Sequence, residues 1–205
     1  MKPFRSPLID KVALQILLEN CVHTLKFQEK LKTQLLKKFV DDKEDVDEEE
    51  KEDLQDDYEE YNDLMQAVME IMGNILRIYN NEFEVYICGS LIPFFYKTLG
   101  NKESTDNEFL YAICVFDDLL EHGSQQVFDK SFFEISQMFM NILKITSNLD
   151  LVQSIVYGFG IIGLRSTTSA FQNIYLPIVE VYNLTSDKTV FYFILIDSSE
   201  FHWSA

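Results

Sequence analysis

The chain has 205 residues, 47% of them apolar and 14% aromatic, enough to fill the core of an ordinary domain and to argue against global disorder. Seven glycines and four prolines are too few for the many tight turns of a sandwich, a barrel or a doubly wound sheet, which leaves an all-α class. The net charge of −17 is concentrated in one place: 14 acidic residues and two lysines between Asp41 and Glu60 leave the rest of the chain at −5, with the first 40 residues at +5. So nearly neutral a body argues against direct binding to nucleic acid or to an anionic membrane, because counterion release needs clustered Lys and Arg.

In chain order, Leu8 to Leu25 predicts a first helix with Ile9, Ala13, Ile16, Leu17 and Cys21 on one face. Phe27, Leu31, Leu35 and Phe39 recur every fourth residue and predict a second, completing a pair over 1–40. The acidic run then interrupts the periodicity, and mutual repulsion predicts a loop over 41–57. From Tyr61 the set Leu64, Met65, Val68, Met69, Met72, Ile75, Leu76 and Tyr79 is helical, and a break at Asn80-Asn81-Glu82 leads into a second apolar helix ending near Leu99. Thr105 and Asp106, followed by Glu108, are start signals for a helix bearing Phe109, Ile113, Phe116 and Leu120, which His122-Gly123-Ser124 stops. Phe128, Phe132, Ile135, Phe139 and Ile142 mark the next helix, and Asn148 with Asp150 caps one carrying Val152, Ile155, Val156, Phe159 and Ile162. After a turn at Ser166 to Ser169, Phe171, Ile174, Tyr175, Ile178, Val181 and Tyr182 complete the series.

An internal repeat orders these elements. Ser90 to Leu99 resembles Tyr175 to Leu184, their prolines Pro93 and Pro177 lie two periods of 42 residues apart, and Ile135 to Leu143 has the same apolar pattern midway. Two helices every 40–47 residues is the HEAT/armadillo period, and such hairpins bury their apolar faces only by stacking. The expectation is an α-solenoid of about four HEAT-type antiparallel pairs: 1–40, then three repeats over 58–189 (helices near 58–99, 105–145 and 149–185), with a divergent tail at 190–205. Each proline falls near the start of the second helix of its pair, where a missing N–H costs little or bends the helix.

Cys21, Cys88 and Cys114 form no C-x-x-C pair and sit in apolar stretches, where a reduced thiol acts as a small hydrophobe, as in a cytosolic or nuclear protein. No signal-peptide core follows Met1 to Arg5, and the apolar run Val190 to Ile196 is short against the ~20 residues of a bilayer span. A soluble intracellular protein is expected, in which the Asn183-Leu184-Thr185 sequon stays unused.

Three stretches carry a resemblance to a known family: Ile113 to His122 is similar to a Cys-Ile-Phe-Asp-Asp-Val-Ile-Glu-His helix end, and Val152 to Gly160 to a Val-Arg-Gln-Ala-Ala-Ala-Tyr-Gly-Leu-Gly helix. The third is the acidic insertion ahead of a long helix. Their order and spacing resemble the C-terminal half of importin-β (karyopherin-β) nuclear transport receptors, of the importin-5 or karyopherin-β3 branch, over residues 8 to 190. The sequence departs from that pattern at Val152 or Gln153, which replaces an Arg of the family, and beyond Ser186 to Thr189, where it would continue with a polar-faced helix. The family's superhelix is several-fold longer, so the expectation is a truncated product, a fragment or a gene model ending in unrelated sequence.

The resemblance implies protein import through the nuclear pore, shuttling between cytoplasm and nucleus, with binding of cargo, Ran-GTP and Phe-Gly nucleoporins; Ran would need repeats beyond this chain. Candidate contacts to basic cargo (localisation signals, histones or ribosomal proteins) are Asp41, Asp42, Glu44, Asp45, Asp47, Glu48, Glu49, Glu50, Glu52 and Asp53, a density that steers cations at long range but is screened beyond about 8 Å. The alternative for the run is a solvated insertion paired with Lys26, Lys30, Lys32, Lys37 and Lys38. Asp45 to Glu50 lacks the glycine of a calcium loop. Asp117 and Asp118 are read as inter-repeat contacts at a helix end, and Gly158, Gly160 and Gly163 as sites of close helix approach, not a phosphate loop. His23, His122 and His202 form no ligand cluster, and no nucleophile set or cofactor loop is visible, so no catalysis, metal or cofactor is expected. Competing classes are a HEAT scaffold or adaptor, and an acidic chaperone of basic proteins.

Overall fold

A computed structural model describes residues 11–41, 48–79 and 81–167; the expected helix near 171–182, the tail 190–205, the sequon and His202 fall outside them. Seven helices run through these residues: α1 (Lys11–Asp41), α2 (Glu48–Tyr79), α3 (Asn81–Ser90), α4 (Ile92–Gly100), α5 (Asp106–His122), α6 (Gln125–Leu143) and α7 (Leu149–Arg165). There is no strand among the described residues, and the fold is an all-α solenoid.

Local chemistry sets the helix ends. Thr105 Oγ1 accepts the Glu108 N–H at 3.3 Å while Glu108 Oε2 accepts the Thr105 N–H at 2.8 Å, a reciprocal capping box that starts α5. Ser124 Oγ accepts from Val127 N at 3.3 Å to start α6, and Asn148 Oδ1 from Asp150 N at 3.0 Å to start α7. The apolar stretch after Asn80 makes two short helices broken at Leu91, with Pro93 in the first turn of α4. Proline cannot donate to the carbonyl four residues back and its ring crowds that turn, so the break falls just ahead of it.

Equivalent helices stack in parallel, the mark of a solenoid. Asp106 and Asn148 are joined near the starts of α5 and α7, and Glu121 and Tyr157 further along them. Tyr61 of α2 meets Glu108 at the start of α5, and Gly73 meets Asp118 near its end. Hence α2, α5 and α7 form one layer, with the paired residues 36 to 47 positions apart along the chain, close to the sequence period. The second layer holds α3–α4 and α6, with Glu84 of α3 on Ser124 at the start of α6. Between the layers Phe95, Phe116, Phe128 and Phe139 are fully buried, each contributing ~1.5–3 kcal/mol relative to an exposed position. Tyr96 of α4 packs on Phe116 (ring centroids 4.7 Å apart) and Phe139 of α6 edge-on against Phe159 of α7 (6.0 Å).

Two expectations are corrected. The pair over 1–40 is instead one 31-residue helix, α1, antiparallel to α2, with Lys32 near Tyr61 and Lys11 to Glu19 near Phe83. No Gly, Pro or capping signal separates Leu25 from Phe27, so nothing ends the helix there. The buried face is Leu14, Leu18, Cys21 and Leu25, whereas Ile16 is 52% and Phe27 62% exposed. Phe27 is out of phase with that face on the same helix, which in sequence mimics the start of a new element. The acidic loop over 41–57 is also too long: Asp41 ends α1, and α2 begins at Glu48. Glutamate is a good helix former, acidic residues are favoured at the positive N-terminal end of a helix, and propagation from the strongly apolar 61–79 face needs no new nucleus.

Candidate functional site

The densest polar chemistry lies on α5, where Asp117 and Asp118 face opposite neighbours. A methyl group added at Gly73 of α2 would fall inside the van der Waals shell of Asp118 Oδ2, and one at Gly158 of α7 would strike Asp117 Oδ1 and come within 2.6 Å of Phe139 Cε2. Glycine in a helix interior costs about 1 kcal/mol against alanine, and at both places the space admits a carboxylate from the helix between. Asp117 is buried at 6% exposure, and its Oδ1 has no hydrogen-bond partner. Burial, then the charges of Asp118 and Glu121, hold its carboxyl well above the usual aspartate range. Burial also raises Asp118, with His122 and Arg77 opposing and Glu121 adding. Gly160, by contrast, faces open space, so its expected role in close approach does not hold.

Other polar groups bridge successive repeats. Glu84 receives Ser124 Oγ at 2.7 Å and the Ser124 N–H, placing a carboxylate at the N-terminus of α6, where the helix dipole favours it. Glu108, 3% exposed, receives Lys32 Nζ at 2.6 and 2.7 Å and Tyr61 Oη at 2.7 Å, besides the Thr105 N–H. Burial pushes its carboxyl up, but these donors and the lysine charge more than offset it, and the net shift is downward. Lys32 is thus engaged with α5. Tyr157 Oη donates to Glu121 at 2.6 Å and Asn148 Nδ2 to Asp106 at 2.9 Å. Arg165 spreads its guanidinium over the end of α5, donating to the carbonyls of Leu120, Glu121 (3.2 Å) and Gly123 (3.0 Å), and stacks 4.7 Å from the Phe128 ring centroid.

Of the candidate cargo contacts, Asp41 closes α1; Asp42, Glu44, Asp45 and Asp47 lie outside the described residues; and Glu48, Glu49, Glu50, Glu52 and Asp53 belong to the first turns of α2. The described part of the run thus lies at the end of α1 and the start of α2. Among the described residues no three His, Cys, Asp or Glu groups are placed to hold a metal, and no helix is long and apolar enough to cross a membrane. Burial raises Cys21, Cys88 and Cys114 to about 11, so their thiols are protonated at neutral pH, the state of packing residues and not of nucleophiles.

The bridging roles of Glu84, Lys32 and Arg165 are absent from the sequence reading. Only Glu108 left a trace, in the Thr105-to-Glu108 cap signal. An open groove of about 480 Å³ lies between α1 and α3, lined by Lys11, Val12, Gln15, Ile16, Glu19 and Phe83. These features together define a helical-repeat solenoid whose polar chemistry serves stacking. No family model matches the chain, and no curated protein is significantly similar to it.

Proposed function

We propose that the chain is a protein-binding solenoid segment of a nuclear transport receptor, of the importin-β kind that its sequence resembles. One observation carries the reading. The two resembling stretches, 113–122 and 152–160, are the ones that pack on each other, Asp117 of the first seated in the notch at Gly158 of the second. The residues that suggest the family are therefore those on which its stacking geometry would depend. A solenoid of this sort offers extended surface and engages partners without catalysis. Its partners would be lysine-rich cargo, with the acidic run between α1 and α2 as the attracting surface, and Phe-Gly segments of pore proteins; Ran-GTP would need further repeats.

The test is binding of the purified chain to immobilised Phe-Gly-repeat peptide and to a lysine-rich localisation peptide, with an unrelated helical-repeat protein as control. Retention of both above the control is expected, the lysine-rich one falling as salt rises. Retention of neither overturns the reading and moves the chain to the scaffold class. A second reading, an acidic chaperone of basic proteins, is favoured by the 14 acidic residues within 41–60. Deleting 42–53 would then abolish binding of histones while Phe-Gly retention is absent from the start.

A further inference from the structure

We propose that Asp117 makes the seam between α5 and α7 acid-tightened: with its carboxyl protonated the two repeats stay closed on each other, and on ionising it drives them apart. The geometry gives the reason. Asp117 is enclosed at 6% exposure, with Oδ1 unpartnered and turned to the backbone of Gly158 and the ring of Phe139. A buried carboxylate needs hydrogen bonds or a cation to offset its lost hydration, and an unmet one costs far more than its neutral acid.

The titratable groups around it supply no such compensation. On α5 itself the charges acting on Asp117 are Asp118 and Glu121, both acidic, and Cys114 is a thiol already raised to about 11. From α7 comes Tyr157, whose hydroxyl is spent on Glu121 at 2.6 Å and which the charge of Asp117 raises further. From α6 comes the apolar edge of Phe139, and from α2 Arg77, which with His122 acts on Asp118. Oδ1 finds no donor while the seam is closed, so ionisation of the carboxyl favours a seam open to water.

The sign follows from linkage. A carboxyl that binds its proton more tightly in the folded chain than in the unfolded one stabilises the fold at acid pH. That contribution is lost as pH rises from the ordinary aspartate value of about 3.9 through the folded-state value. The α5–α7 junction is thus firmest in mild acid and loosens towards alkaline pH, opening the pitch of the solenoid at that step.

The experiment is amide hydrogen exchange of the full chain between pH 5.5 and 8.5, corrected for intrinsic exchange, read at α7 and compared with α1. In the wild type, α7 protection should fall with pH by about tenfold for each unit of pH crossed above the ordinary range and below the folded-state value, while α1 stays level. Asp117→Asn, neutral and of the same shape, should abolish the slope, and Asp118→Asn should keep most of it. A wild type with flat α7 protection, or an Asp117→Asn variant with the wild-type slope, overturns the proposal. Should the variant not fold, the carboxyl carbon of Asp117 in the wild type is followed by NMR. Titration in the ordinary aspartate range would equally overturn it, and a midpoint displaced upward, in step with the loss of α7 protection, supports it.

Discussion

Lys32 of α1 and Glu108 of α5 form an ion pair at 2.6 Å, with the carboxylate 4% and the ammonium side chain 19% exposed. The pair ties the first described helix past α2 to the start of the next repeat, and Tyr61 of α2 completes the triangle. Removing one partner of a largely buried pair leaves the other desolvated, so Lys32→Ala should cost about 1–3 kcal/mol of unfolding free energy. Urea denaturation near neutral pH measures it, and a loss under a few tenths of a kcal/mol would show that Tyr61 and the Thr105 amide suffice for Glu108.

The same carboxylate sets a pH dependence opposite in sign to that of Asp117. The folded chain holds Glu108 below its ordinary value of 4.5, so its contribution is complete above that value and is lost as pH falls through the folded-state one. Melting temperature followed downward from pH 5 should drop more steeply in the wild type than in Glu108→Gln, which starts lower but is flatter. Parallel curves would count against the lysine pairing as the dominant interaction.

Two glycines on α7 should respond to the same substitution in opposite directions. Gly158→Ala drives a methyl into Asp117 and Phe139 and should destabilise by about 1–3 kcal/mol, as overpacking does. Gly160→Ala meets open space within a helix and should stabilise by about 0.5–1 kcal/mol. Thermal unfolding of both variants settles the matter, and equal shifts would contradict the packing described.

Glu84 and Ser124 should prove energetically coupled. Ser124→Ala loses the cap on α6 and Glu84→Ala the carboxylate that holds that cap; each should cost about 1–2 kcal/mol, while the double variant should cost little more than the worse single one. A double-mutant cycle in urea reads the coupling directly; additive losses would mean that each residue acts alone.

Arg165→Lys keeps the charge but not the planar fork that reaches the carbonyls of Leu120, Glu121 and Gly123 together. Amide exchange at the end of α5 and across Gly123 should quicken in this variant nearly as much as in Arg165→Ala. Wild-type protection in Arg165→Lys would assign the effect to charge alone.

Where local signals were dense, the sequence was a good guide. Thr105 and Asn148 mark their helix starts because capping is written within three residues, and the faces of α5, α6 and α7 follow from spacing alone, whereas Ser124 reads only as part of a stop and in fact caps α6. The long-range ties were not legible, since nothing near Lys32 announces a glutamate 76 positions later, and Arg165 gives no sign of the carbonyls it covers. Phe27 misled for a related reason: an aromatic residue at helical spacing is read as core, yet here it points outward. In the acidic stretch the repulsion that predicts a loop is outweighed by the helix dipole and by the apolar face downstream. Gly158 and Gly160 are indistinguishable in sequence, and only the carboxylate across the seam separates their roles.

The parallel register of α2, α5 and α7 has a mechanical consequence. Among the described residues, the ties within the α2–α5–α7 layer each reach one step along the stack, while Lys32 of α1 reaches past α2 to α5. A pull on the two ends of the described segment would therefore load the seams in series, and the weakest would yield first while the others held. The molecule should extend under force in steps of one helix pair, a spring with separate coils.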